Sequence, residues 1–216
     1  MGEIWPRLEA VFASCCPEFF SVLRPPATET QIGAFEEATG MKLPEDVRGA
    51  YLWHDGCVAT HVASGLGSTE WHLLPSHRWC SLDEVLARWR FDRELDETYE
   101  SEPYSYTEEE DPSSWGENAL RPWQQPPPSW LAIGQVEWMQ SSLYLDLAPG
   151  PKGHVGQLID YRAAMTPKLV APSLHQYLEI LALCLEQKAV AYNSAKGSWV
   201  TVSTGQPWPS AQLLLK

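Results

Sequence analysis

His54, Asp55 and Cys57 stand close enough in the sequence to suggest a thiol nucleophile beside an imidazole base. No third group to orient such a base is evident. A histidine followed by Asp-Gly is also a common way to end a helix, with the ring near the negative end of the dipole and the glycine turning the chain. A helix terminus is therefore the expectation here. His61, His72 and His77 place three imidazoles in a short span. Their irregular spacing, with no matching carboxylate cluster, favours surface or groove residues over a metal centre. Gly65-x-Gly67-Ser68-Thr69 resembles a phosphate cradle, but the lysine and following helix of a P-loop are missing. Asp146 and Asp160 end predicted strands and read as turn aspartates rather than a paired acid and base. No complete catalytic constellation emerges. The chain is expected not to be an enzyme, with no metal and no cofactor.

The strongest chemical signal is electrostatic. From Asp92 to Glu117 there are eleven carboxylates and one base, Arg93, so −10 of the total charge of −13 lies in that stretch. Tyr99, Tyr104, Tyr106 and Trp115 are interleaved with it, and Trp123 and Pro126-Pro127-Pro128 follow. A polyanion with aromatic anchors suits capture of a cationic partner: charge steers the encounter and rings supply the buried contact. A solvated acidic loop is the other reading of the same residues. The expected partner-contact set is Trp71, Trp79, Asp92, Glu94, Asp96, Glu97 and Glu100, continuing through Glu102, Tyr104, Glu108, Glu109, Glu110, Asp111 and Trp115.

The bulk composition narrows the partner class. A sequence pI near 4.8 disfavours nucleic acid and anionic membranes and favours basic proteins. Eleven tryptophans are many for 216 residues, so some are expected at a surface or groove. Five cysteines with no CxxC pair argue against zinc or a disulfide framework and suit a reducing cytoplasm. The N-terminus does not resemble a signal peptide, and no run approaches the roughly 20 apolar residues of a membrane span.

The elements that position these residues are legible in outline. Ile4, Trp5, Leu8, Val11 and Phe12 recur at helical spacing and stop before Pro17. Thr28 and Gln31 form a capping box for a second helix that ends at Gly40. Leu43-Pro44-Glu45-Asp46 opens a third helix, with Pro44 at its first position and Val47, Ala50 and Tyr51 as its buried stripe. Trp71–Leu74 reads as a strand. Ser81 and Glu84 form a second box, ahead of Leu82, Val85, Leu86 and Trp89 on one helical face. The acidic stretch follows as an inserted loop over about 92–128. Trp130–Gly134, Leu143–Leu147, Val155–Ile159 and Leu169-Val170 are short apolar runs separated by turn residues. Ser173 and Gln176 form a third box before Leu174, Tyr177, Leu178, Leu181 and Leu185. An extension from about 190 holds a possible strand at Trp199–Val202. Helices, then a strand meander, then a closing helix make an α+β domain, expected to be single over 1–216.

These blocks resemble the SUKH superfamily. Phe35-Glu36, Leu43-Pro44 and Asp55-Gly56 match its opening pattern. Trp130–Gly134, Leu143–Leu147, Pro149-Gly150-Pro151, Gly153-x-x-Gly156-Gln157 and Ser173-x-x-x-Tyr177-Leu178 then follow in the order of its cell-wall-assembly-regulator-like branch. The resemblance implies a central, mostly antiparallel sheet with helices packed around it. It also implies, for bacterial members, immunity proteins that bind and neutralise a toxin, and for fungal members, regulatory scaffolds. The leading expectation is a cytoplasmic immunity protein that occludes a basic, nucleic-acid- or nucleotide-acting toxin. A non-enzymatic regulatory scaffold is the alternative.

Overall fold

The computed structural model describes residues 4–58, 73–74, 77–100, 126–136, 141–150, 152–162, 167–193, 198–206 and 208. Helix α1 (Ile4–Cys15) is followed by a 3-10 turn (Pro17–Val22), α2 (Glu29–Thr39) and α3 (Glu45–Trp53). A two-residue strand β1 (Arg78–Trp79) leads into α4 (Leu82–Glu100). The meander β2 (Trp130–Val136), β3 (Ser141–Asp146), β4 (Gln157–Arg162) and β5 (Lys168–Ala171) precedes α5 (Leu174–Glu186). The hairpin β6 (Val190–Asn193) and β7 (Ser198–Thr201) comes last. Strands β1 to β5 form one sheet in sequence order, and every pairing is antiparallel. The architecture is α+β.

Period-2 alternation gives the sheet two apolar faces. Leu131, Ile133, Leu143, Leu145 and Leu158 join the main core with Leu8, Val47, Tyr51, Leu178 and Leu181. Trp130, Ala132, Tyr144, Ile159 and Tyr161 form a separate cluster. The register explains this division, because Tyr144 pairs with Ala132 on one side and Ile159 on the other. Each fully buried large side chain of this kind contributes about 1.5–3 kcal/mol.

Several helix starts match their local signals. Thr28 accepts from the Gln31 amide and Gln31 Oε1 accepts the Thr28 amide at 2.8 Å, while Gly40 takes φ +71° after the last turn. Ser81 and Glu84 exchange the same pair of bonds. Of the box expected at Ser173 and Gln176, the α5 cap shows one bond, the Ser173 side chain accepting from the Gln176 amide. Pro44 is the cap of α3 rather than its first residue, and its carbonyl accepts the Arg48 amide at 2.8 Å.

Other expectations shift. Leu73 and Leu74 lie outside any strand, and Leu74 makes an isolated bridge to His77. β4 starts at Gln157, because Gly156 at φ +88° breaks the extended run expected from Val155, which is 65% exposed. The stretch expected as a loop from Asp92 is helical through Glu100. Among the described residues the tryptophans are core residues: Trp53, Trp79, Trp130, Trp199 and Trp208 are buried, and Trp5 and Trp89 are partly so. Trp199 stacks on Phe12 at 6.0 Å and meets Tyr192 edge-on at 4.9 Å, which ties the C-terminal hairpin to α1.

Candidate functional site

The start of α4 is assembled from three separate segments. His54, after the end of α3, sets its Nδ1 2.6 Å from the Arg24 carbonyl. The Asp55 amide donates to the Pro25 carbonyl, and Asp55 Oδ1 accepts the Leu82 amide at 2.8 Å. Gly56 turns at φ +76°, and a Cβ there would stand 2.6 Å from the Cys80 carbonyl carbon. The neighbouring pair Arg78–Glu84 closes at 2.9 Å. Burial would raise the Glu84 carboxyl, but bonds from Arg78 and Ser81 outweigh it, and the group lies below its usual range. Burial raises Asp55 despite the Leu82 bond. His-Asp-Gly is thus a joint that caps α4. Cys57 is fully buried, with its thiol pushed up to about 12 by burial, so it is no nucleophile at neutral pH.

The family-like Phe35-Glu36 pair has an equally concrete role. Glu36 Oε1 accepts the Leu43 amide at 3.1 Å and Arg48 Nη1 at 3.2 Å, while Oε2 takes Lys42 Nζ at 2.7 Å. Burial opposes the charge, yet the Lys42 and Leu43 bonds hold this carboxyl below its ordinary value. One buried carboxylate therefore closes the α2–α3 connection at Leu43-Pro44.

Asp146 and Asp160 do not form a pair. Asp146 is buried on the Tyr144 side of the sheet, accepting Gln157 Nε2 at 2.8 Å and the Ala148 amide at 3.0 Å. Asp160 alternates to the Leu158 side and lies 3.7 Å from His77 Nε2. Gly153, whose Cβ would meet Pro149 at 2.6 Å, completes the tight β3–β4 turn held by Asp146 and Gln157. His61, His72 and residues 65–69 lie outside the described residues. Among the described residues no three His, Cys, Asp or Glu side chains converge on a metal-sized site, and no helix is long and apolar enough to cross a membrane.

From its joint, α4 extends beside β2 toward the Tyr144 face. Trp89 Nε1 donates to the Pro128 carbonyl at 2.9 Å. Arg88 Nε donates to Asp92 Oδ1 at 2.7 Å, and the Tyr144 hydroxyl lies 3.5 Å from both Arg88 Nη2 and Asp92 Oδ2. Burial raises the Asp92 carboxyl, with Arg88 and Tyr144 pulling the other way. Ala87, Arg90, Phe91 and Glu94 face solvent, with Phe91 52% exposed.

The expected contact residues divide accordingly. Trp79 is not a surface residue: it is 2% exposed, 5.4 Å from Tyr51 and stacked 6.4 Å from Trp53. Inward-pointing β1 put it there, a placement that a two-residue strand does not announce. Asp92 is 8% exposed and turned toward Arg88 and Tyr144, so its charge serves the fold. Glu94 is exposed on α4. Asp96, Glu97 and Glu100 are positions on α4. Trp71, Glu102, Tyr104, Glu108, Glu109, Glu110, Asp111 and Trp115 lie outside the described residues. Asp55 and Glu36 were missed as organising residues; Glu36 carries a local signal, since it precedes Leu-Pro by a short loop, but the Asp55–Leu82 bond carries none.

The chain is 24% identical over 208 residues to a glucan synthesis regulatory protein of Neurospora crassa, an alignment covering 84% of this chain. The chain spans only 38% of that relative's length. The family model described as SMI1 / KNR4 (SUKH-1) matches residues 26–180, from just before α2 to the middle of α5. The chain belongs to the SMI1/KNR4 family (SUKH-1).

Proposed function

We propose that this chain is a non-catalytic binding protein of the immunity type, which neutralises a basic toxin by covering its catalytic surface. The observation that carries the reading is the concentration of −10 charge between Asp92 and Glu117, entered from a helix seated on the body through Asp55 and Tyr144. A nuclease or nucleotide-using enzyme has a cationic site for its anionic substrate, and a polyanion competes for that site. The buried Cys57 and the structural roles of Asp55 and Asp146 support a binding role over turnover. The expected compartment is the cytoplasm.

A regulatory scaffold is the second reading, favoured by the glucan synthesis regulatory relative. The two separate in one experiment. The protein encoded beside this chain's gene is purified and its activity titrated with this chain. Stoichiometric, one-to-one loss of a toxic activity supports neutralisation. Unchanged activity, with binding instead to an endogenous enzyme of the cell envelope, overturns it in favour of the scaffold.

A further inference from the structure

Helix α4 joins a first half whose charges balance, Asp83 and Glu84 against Arg88 and Arg90, to a strongly acidic second half. Its first half is over-determined: the Asp55 and Ser81–Glu84 caps, buried Leu82 and Val85, the Trp89–Pro128 bond and the Arg88–Asp92–Tyr144 contact all act before or at Asp92. The second half, Asp92–Glu100, carries five carboxylates and one base. Its last turn has no basic residue. Carboxylates at a helix C-terminus oppose the negative end of the dipole. Asp92 with Asp96, and Asp96 with Glu100, are like charges four apart, which destabilises a helix. Glu94 with Glu97, and Glu97 with Glu100, repeat the conflict at a spacing of three. Arg90 before Glu94 and Arg93 before Glu97 offset only part of it.

We infer that α4 consists of a locked root, ending where Asp92 meets Arg88 and Tyr144, and a charge-conditional tip over residues 93–100 whose helicity rises when cationic charge screens or neutralises it. The tip is a conformational sensor of positive charge. On the proposed function above, a basic partner would tighten the helix it touches, so binding and ordering are coupled. The sensor itself follows from the helix and its charges and stands without any partner.

Backbone amide exchange tests it on the whole protein. Protection is measured across α4 and across β2–β4 at 20 and 500 mM NaCl, choices that change the Debye length from about 20 to about 4 Å. The expected result is protection rising about fivefold at 93–100 in high salt, with 82–91 and the strands unchanged. Adding deca-lysine at low salt should reproduce the rise, and deca-glutamate should not. The single variant Asp96→Lys turns both i,i+4 repulsions, with Asp92 and with Glu100, into attractions. It should show high protection at low salt and lose the salt response. Protection at 93–100 that stays constant or falls with salt overturns the inference, as does an equal response in the strands. Failure to find any toxin partner would overturn the proposed function and leave these salt results standing.

Discussion

Asp55, just past the end of α3, accepts the first amide of α4, that of Leu82, at 2.8 Å and across 27 positions of sequence. A short polar side chain thus serves as a cap for a helix to which it is not adjacent. Losing a cap of this kind costs about 1–2 kcal/mol. Asp55→Ala should lower unfolding free energy by that amount in urea, whereas Asp55→Asn keeps an accepting oxygen and should cost under about 0.5 kcal/mol. Burial raises the folded-state value of this carboxyl, so folding favours its protonated form. Its contribution is therefore greatest in acid and is lost as pH rises through the folded value. The stability difference between parent and Asp55→Asn should move in favour of the variant as pH increases. A difference that is flat with pH would show that burial does not perturb this group.

Glu36 carries the opposite sign. Its carboxyl lies below the ordinary range because the Lys42 and Leu43 bonds outweigh burial. It contributes fully above the unfolded value of about 4.3 and fails as pH falls through the folded value. Glu36→Gln keeps the shape but removes the charge shared by Lys42 and Arg48. The expected cost at pH 7 is about 1–3 kcal/mol, as for a buried hydrogen-bonded charge. That deficit should shrink toward pH 3, measured by urea unfolding of both proteins. A variant as stable as the parent at pH 7 would reduce Glu36 to a spectator.

Gly56 combines φ +76° with a Cβ position 2.6 Å from the Cys80 carbonyl carbon and 2.7 Å from the Ser81 nitrogen. Backbone cannot yield as a flexible side chain does. Gly56→Ala should destabilise by at least about 2–3 kcal/mol, combining strain at positive φ with steric overlap. By contrast, Gly33 has open space and an ordinary helical φ, so Gly33→Ala should gain up to about 1 kcal/mol. Melting temperatures of the two variants should move in opposite directions. Equal shifts would mean that the Asp-Gly turn is not a packed joint.

Legibility in the sequence followed locality. The Thr28–Gln31 and Ser81–Glu84 boxes are contained within four residues, and both form. The meander was visible because Leu131, Leu143 and Leu158 alternate with partners on the other face, although Gly156 delayed β4. Nothing local marks Arg78-Trp79 as a strand; its pairing with Gly134 and Gln135 is long-range, and the burial of Trp79 depends on that pairing. The helical course of Asp92–Glu100 was hidden by its charge, which reads as a loop, although Glu, Leu and Arg are themselves good helix formers. The Tyr144 contact that roots this helix comes from a strand 52 positions away. Charge pattern could reveal where an acidic surface lies, but not that Asp92 is withdrawn from it.

The placement of Asp92 sharpens the last prediction, which concerns capture of the proposed partner. Since Asp92 is paired with Arg88, the steering charge resides in the remaining carboxylates through Glu117. Replacing Glu108, Glu109, Glu110 and Asp111 by Ser and Gln should slow association with the basic partner, and the parent's association should itself slow as salt rises beyond a Debye length of about 8 Å. Dissociation and melting temperature should stay near parental values, because long-range attraction acts before contact. Truncating Trp115 should act the other way, raising the dissociation rate by the equivalent of about 2 kcal/mol if it is a central anchor. Trp79→Phe supplies the control: a core ring should change stability and leave both rates alone. Stopped-flow mixing with the purified partner measures all three. If the four-residue replacement leaves the association rate and its salt dependence within twofold of the parent, the carboxylates beyond α4 take no part in capture and recognition must be sought on another face.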